Sequence, residues 1–406
     1  MVDVPLVSGE ASTETASMSG VDLLSDAMEE PVVSVLGLGT AVPPYRMPQD
    51  VAAAFALERY PGGEDGADWV RRRYERSGVA SRCTCLPMGP DVADSLGLPA
   101  IETVFPAVSE PGFAGPTTGQ RMALYERCAP LLLKHAAGKA LASAGVRADR
   151  ITHLVTTTCT GFFSPGPDHH LIASLGMSPS VERVQVGFMG CHAAINGLGV
   201  ATALARSHSG ARVLLACVEL CSLHFQYRAD KEQVVANALF GDGAAAAVIG
   251  REDQGRAGTT GLGRIRVVSR RSEVLGGSGE AMSWRITDHG FRMTLGPEVP
   301  RLLRSCLEEQ LVDHWLGSCG LRREAVSGWA VHPGGPRVLD AVERALGLSG
   351  EALSASRAVL QEHGNMSSPT VLFILHRLLA SGVRGPVVLM AFGPGLTLEL
   401  ALVWVE

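Results

Sequence analysis

The 406-residue chain is 46% apolar and 19% charged, which is ample material for a sizeable core and excludes disorder as its general state. Thirty-five Lys and Arg against 41 Asp and Glu leave a formal charge of −6. There is no overall basic field for nucleic acid or an anionic membrane, so any anionic ligand must be held locally. The nine cysteines are an odd set, several of them inside apolar runs, which points to a reducing, cytoplasmic setting. None has the paired spacing of a metal site, so no metal is expected.

The first 45 residues hold no Lys or Arg, whereas signal and transit peptides need positive charge there. Residues 1–30 are therefore expected to be a disordered or loosely docked tail. No run of 18 uninterrupted apolar residues follows, so no membrane insertion is expected. Short β-like runs at 32–36, 152–156, 212–218, 244–249, 329–331, 387–391 and 396–405 alternate with stretches of helical composition. That alternation is the α/β pattern.

The chain also repeats itself. An offset of 174 residues carries Thr158 onto His332 and Cys191 onto Asn365, and Phe240-Gly-Asp-Gly243 finds an echo in Phe392-Gly-Pro-Gly395. Two homologous halves, 31–255 and 256–406, are expected about a pseudo-twofold axis, with 219–239 an insertion in the first. Cys191 and Asn365 would each open a helix, with His332 ending a nearby strand. A cysteine at a buried helix N-terminus beside a histidine would be held as a thiolate, with its pKa lowered.

Cys, His and Asn in that order suit a papain-like hydrolase or a condensing enzyme. The duplicated α/β core and the lack of a papain-like Cys motif favour condensation. The Gly37-Leu-Gly39 turn lacks the third glycine of a dinucleotide site, and no P-loop is present.

Phe188-Met-Gly-Cys191, Phe240-Gly-Asp-Gly243, His332-Pro-Gly-Gly-Pro336, Gly364-Asn-Met-Ser-Ser368 and Phe392-Gly-Pro-Gly-Leu-Thr397 together resemble the motifs of chalcone synthase-like type III polyketide synthases. The resemblance covers about residues 32–406. It implies a thiolase-like αβαβα five-layered fold, a homodimer and a catalytic triad of Cys191, His332 and Asn365. It makes Phe240 a gatekeeper, Met293 the counterpart of a second one, and Cys159 and His224 replacements for cavity threonines. Glu219, Cys159 and Ser367 match a hydrogen-bonded network that in some relatives favours aldol closure. Arg72 and Arg76 match cationic positions for the CoA moiety of the substrate. Acyl-CoA and malonyl-CoA are the implied substrates, with no further cofactor. The stretches around Cys191 and Glu219 are similar to bacterial members that extend fatty acyl starters to pyrones or resorcinols. A single-round condensing enzyme and a silent acyl-binding homologue are the other readings.

Overall fold

The computed structural model describes residues 31–89, 97–110, 112–251 and 264–406. The expected tail and the boundary expected at 255/256 lie outside these residues. A nine-stranded sheet runs through the molecule in the spatial order Gly328–Val331, Gly385–Gly393, Thr397–Val405, Ile265–Val274, Val33–Ala41, Asp242–Arg251, Arg212–Leu220, His153–Thr158 and Glu182–Gly187. Each β-like run read from composition matches one of these strands, three of them beginning one residue early at Val32, Thr152 and Leu396.

The pairing senses recur. His153–Thr158 lies parallel to Arg212–Leu220, which is antiparallel to Asp242–Arg251, which is antiparallel to Val33–Ala41. Likewise Gly328–Val331 lies parallel to Gly385–Gly393, which is antiparallel to Thr397–Val405, which is antiparallel to Ile265–Val274. The two sets meet where Ser34 and Val35 pair with Arg266 and Ile265.

The strands are apolar on both faces because both faces are covered. Ala244, Ala246 and Val248 face one cluster with the helix Thr118–Ala144, while Ala245, Ala247 and Ile249 face another with the helices Ala193–Ser207 and Thr370–Ala380. Val387, Leu389 and Ala391 share that second cluster; Val388, Met390 and Phe392 turn to a third, against the helices Val299–Glu308 and Pro336–Leu346. Helix, strand, helix, strand, helix is thus the order of layers. The helix Thr118–Ala144 starts in a capping box, Thr117 with Gln120, and ends at left-handed Gly145, the usual signals for start and stop.

The helix starts expected at Cys191 and Asn365 are corrected. The first helix begins at Ala193 with His192 as its cap, and the second begins only at Thr370 behind Pro369. Cys191 sits in a turn, and Asn365 forms an isolated β-bridge with Phe240. Proline fixes φ in a helix-compatible value and needs no amide partner at an N-terminus, so the helix waits for Pro369. The supposed insertion holds the end of a strand, a turn at Cys221–His224 and the helix Lys231–Leu239.

A candidate condensation site

Cys191 is buried, 6% exposed, behind Gly190, whose φ is +82°. A Cβ at Gly190 would come within 2.5 Å of Pro394 Cδ, so this turn needs glycine both for its backbone and for its contact with the other end of the chain. Asn365 is pinned by its backbone: its amide donates to the Leu239 carbonyl at 2.8 Å, and its carbonyl accepts from the Gly241 amide at 3.0 Å. Its Oδ1 accepts from Ser367 N at 2.8 Å, which leaves its Nδ2 free to donate elsewhere. The side chains of Ser367 and Asn365 both act on the Cys191 thiol, opposing the rise in its pKa.

The lowered thiol pKa expected from the sequence is not found. Burial drives the Cys191 thiol up to about 12, against the smaller opposing effect of Ser367 and Asn365. Burial likewise pulls His332 down to about 3, with His192 adding to the fall. Removing a charge from water costs more here than a turn's dipole returns. His332 follows Val331, its amide donating to the Met390 carbonyl at 2.8 Å. It is 1% exposed, yet neither ring nitrogen has a hydrogen-bond partner. Buried imidazoles normally have partners, so this ring is a donor and acceptor held in reserve for an incoming atom.

A pocket of about 930 Å³, the open solvent at its mouth included, reaches Cys191. Its wall includes Cys159, His224, Phe240, Met293 and Ser367, all singled out by sequence, but neither His332 nor Asn365. Arg72 and Arg76 are exposed at the end of the helix Gly63–Glu75 and line no part of the cavity, whereas Tyr74 between them does.

Glu219 is fully buried, and burial raises its pKa against several hydrogen bonds. Its carboxyl accepts from Cys159 N at 2.9 Å, Thr160 Oγ1 at 2.7 Å and Ser368 Oγ at 2.6 Å. Cys159 Sγ lies 3.4 Å from Ser367 Oγ. Glu219 thus holds the Cys159 backbone, the Cys159 thiol meets Ser367, and Ser367 acts in turn on the Cys191 thiol.

His224 is neutral by construction: Nε2 donates to the Thr160 carbonyl at 2.7 Å, and Nδ1 accepts from Phe291 N at 2.9 Å. Its ring stacks on Phe291 at 4.2 Å with Trp284 edge-on at 5.5 Å. Trp284 is anchored by its Nε1, which donates to the Cys159 carbonyl at 2.7 Å.

Sequence reasoning missed Trp284, Thr160, Ser368 and Arg82. Trp284 lies in a short hairpin, Met282–Thr287 with Gly290–Leu295, whose pattern gives no sign of which face meets a cavity. Arg82 is buried and donates to the Asn237, Ala238 and Phe240 carbonyls at 2.7–2.8 Å. It thereby holds the end of the helix that carries Phe240. The Asp242 of the Phe-Gly-Asp-Gly motif accepts from Cys85 N at 2.9 Å and Ser222 N at 2.8 Å. Burial pushes its pKa up to about 6. Among the described residues no group of three or more His, Cys, Asp or Glu is arranged to hold a metal ion.

The duplicated pairing order, the layered helices and a buried Cys191 on the cavity wall define a condensing acyltransferase of the thiolase-like fold. The N-terminal domain of chalcone and stilbene synthases matches residues 101–253 and the C-terminal domain residues 266–405; the chain belongs to that family and is a type III polyketide synthase. Among its relatives is the alpha-pyrone synthesis polyketide synthase-like Pks18 of Mycobacterium tuberculosis, 34% identical over 387 residues, which cover 94% of this chain and 93% of that one. The structure of PKS-I from the brown alga Ectocarpus siliculosus superposes with a TM-score of 0.85 at 31% identity, over 93% of this chain and 100% of that one. The C-terminal type III polyketide synthase domain of Steely1 from Dictyostelium gives 0.79 at 26% identity, over 92% and 99%.

Proposed function

We propose that the protein extends an acyl-CoA starter, fatty acyl in class, by iterative decarboxylative condensation with malonyl-CoA, and releases a pyrone. Cys191, His332 and Asn365 are the catalytic residues of this reading. The observation that carries it is the fully buried His332 ring, neither of whose nitrogens has a hydrogen-bond partner.

His332 takes the Cys191 proton as the sulfur attacks the starter thioester, and free CoA leaves. The malonyl thioester oxygen then accepts from the Asn365 amide and from His332. Loss of CO₂ puts the electron pair into an enolate whose oxygen these two donors stabilise. The enolate carbon attacks the acyl group on Cys191, and the chain returns to the sulfur for another round. Removing one such donor costs about 10²-fold or more. Phe240, on the cavity wall, disfavours the malonyl carboxylate by desolvation. The chemistry needs no cofactor beyond the CoA thioesters, whose CoA moiety Arg72 and Arg76 would meet at the surface.

An apolar wall including Phe55, Ile101, Phe225 and Phe291 supports the fatty acyl class. Pyrone rather than resorcinol closure is supported by the relay from Glu219, which passes through the thiol of Cys159, a weak hydrogen-bond partner. Without an efficient path to activate water, the polyketide's own enol oxygen closes the ring. We read the two recurring strand sets as duplicated halves and the protein as cytoplasmic. All nine cysteines are unpaired, and no described helix is long and apolar enough to cross a membrane. A homodimer through the terminal strand Glu182–Gly187 is supported by exposed Phe162, Val184 and Met189 along that edge.

Incubation with malonyl-CoA and short, long and aromatic acyl-CoAs, with the products weighed, tests the reading. Products two or three acetate units heavier than a long-chain starter are expected, absent from Cys191→Ala and reduced about 10²-fold or more in Asn365→Ala. One added unit, or only a trapped acyl-enzyme, would move the function to single-round condensation.

A further inference from the structure

A polar group on the cavity wall has no part in the chemistry above. Ser222 and Thr84 line the cavity together with Cys191. Ser222 Oγ donates to Asp242 Oδ2 at 2.6 Å, and Ser222 N donates to Oδ1 at 2.8 Å. Cys85 N donates to the same Oδ2 at 2.9 Å, and Asp242 is fully buried. Thr84 Oγ1 lies 3.0 Å from Ser222 Oγ. The direction of these bonds is forced. A carboxylate only accepts, so Ser222 turns its proton to Asp242 and Thr84 turns its own to Ser222. Ser222, the one member of the three that is only part-buried, keeps a second lone pair for a donor in the cavity.

The group adjoins the loop that carries Asn365. Gly241 N donates to the Asn365 carbonyl at 3.0 Å, and a Cβ on Gly243 would come within 2.5 Å of Met366 Sδ. Asp242 therefore stands between two residues in contact with that loop. A saturated acyl chain has no donor to offer Ser222, nor has a β-ketone, but the enol of a β-ketone has one. The ligand this acceptor matches is an enol hydroxyl of the growing chain.

We propose that Ser222 is a catalytic residue for ring closure: its oxygen takes the proton of the enol hydroxyl that attacks the Cys191 thioester, while its own proton passes to Asp242. The inference rests on the proposed function, in which the chain is held on Cys191 and leaves as a pyrone. An O–C bond forms as the C–S bond breaks, and the electron pair of the broken bond stays on sulfur. Asp242 holds the proton until the sulfur recovers it. One O–H and one C–S bond are thus exchanged for one O–C and one S–H bond. Burial pushes Asp242 up to about 6, still far below the Cys191 thiol at about 12, so the return of the proton runs downhill.

The test is a single turnover with the full chain in excess over lauroyl-CoA and with malonyl-CoA supplied. Free CoA released per starter is compared with the product mass, since an open-chain acid is heavier than its pyrone by one water. Ser222→Ala and Ser222→Cys are each expected to release CoA as the wild type does but to form pyrone about 10²-fold more slowly. The remaining chain is expected as open-chain acid, or on Cys191 in the intact protein mass. Ser222→Thr, which keeps the hydroxyl, is expected to restore closure. Unchanged pyrone formation in either of the first two variants overturns the proposal. So does a fall shared equally with CoA release, which is what a merely structural Ser222 would give. If Ser222→Ala fails to fold, the near-isosteric Ser222→Cys decides alone. A wild type that releases no CoA beyond loading, or forms no pyrone, would instead overturn the proposed function on which the inference stands.

Discussion

His224 shows at the scale of one residue how a side chain usually read as a proton carrier becomes a fixed structural piece. Both its nitrogens are engaged in a way only the neutral ring permits, and burial first, then Arg121, pull its pKa from 6.5 to about 3. The unfolded chain takes up a proton as pH falls below 6.5 while the folded chain does not, so this stabilisation is complete above 6.5 and is lost on the way to about 3. At pH 5 the loss from this one group is about 2 kcal/mol. His332 acts in the same direction. Asp242, raised from 3.8 to about 6, opposes them, because the folded carboxyl takes its proton first in that window. A glutamine can reproduce both hydrogen bonds of His224 without titrating. His224→Gln is therefore expected to flatten the fall in urea-unfolding free energy between pH 7 and pH 5 by about 2 kcal/mol. An unaltered slope would mean that the ring is solvated and protonates in place.

The element that sets the size of the cavity is the hairpin of Met282–Thr287 and Gly290–Leu295. It brings Trp284 and Met293 to the wall as a cross-strand pair, and Trp284 is locked by its bond to the Cys159 carbonyl. An indole fixed at one end and packed against His224 is a rigid stop, whereas the thioether of Met293 gives way. Trp284→Ala is expected to add at least one acetate unit to the largest product from a given starter, visible by mass spectrometry, with little change in starter loading. A product of unchanged length would place the limit elsewhere.

The motif at His332 was legible in the sequence because it ends a strand buried on both faces, where an apolar run meets a glycine turn, whereas Cys191 and Asn365, which follow a largely exposed strand and a helix, were legible through the glycines Gly190 and Gly364 before them. Trp284 was not, because a two-stranded hairpin pairs by tertiary contact and its alternation does not say which face is inside. The helix starts were misplaced by two and five residues, since His192 and Pro369 rather than the motif residues take the first-turn positions. The protonation of the Cys191 and His332 pair also escaped sequence reasoning: a turn's dipole can be read from order, but the depth of burial that overrides it cannot.

At the scale of the whole molecule, one end of the sheet remains open. Glu182–Gly187 pairs on one side only, with His153–Thr158, and Phe162 and Phe188 rings lie 5.5 Å apart beside it. Such an edge invites a second copy of itself. Val184→Lys together with Met189→Glu is expected to convert a dimer to a monomer in light scattering, with far-UV circular dichroism retained. A wild type that is monomeric at micromolar concentration would refute the assignment.

The contact of Gly190 with Pro394 has a consequence for how such a molecule can change over generations. The nucleophile's turn and the closing turn of the chain touch so closely that one added carbon on Gly190 has no place, although almost the whole second strand set lies between them in sequence. Recombination between distant relatives at the connection near residue 256 would join a turn shaped by one lineage to a proline placed by another. Chimeras made there should fold more often than they work, and productive ones should be those whose two turns come from the same parent.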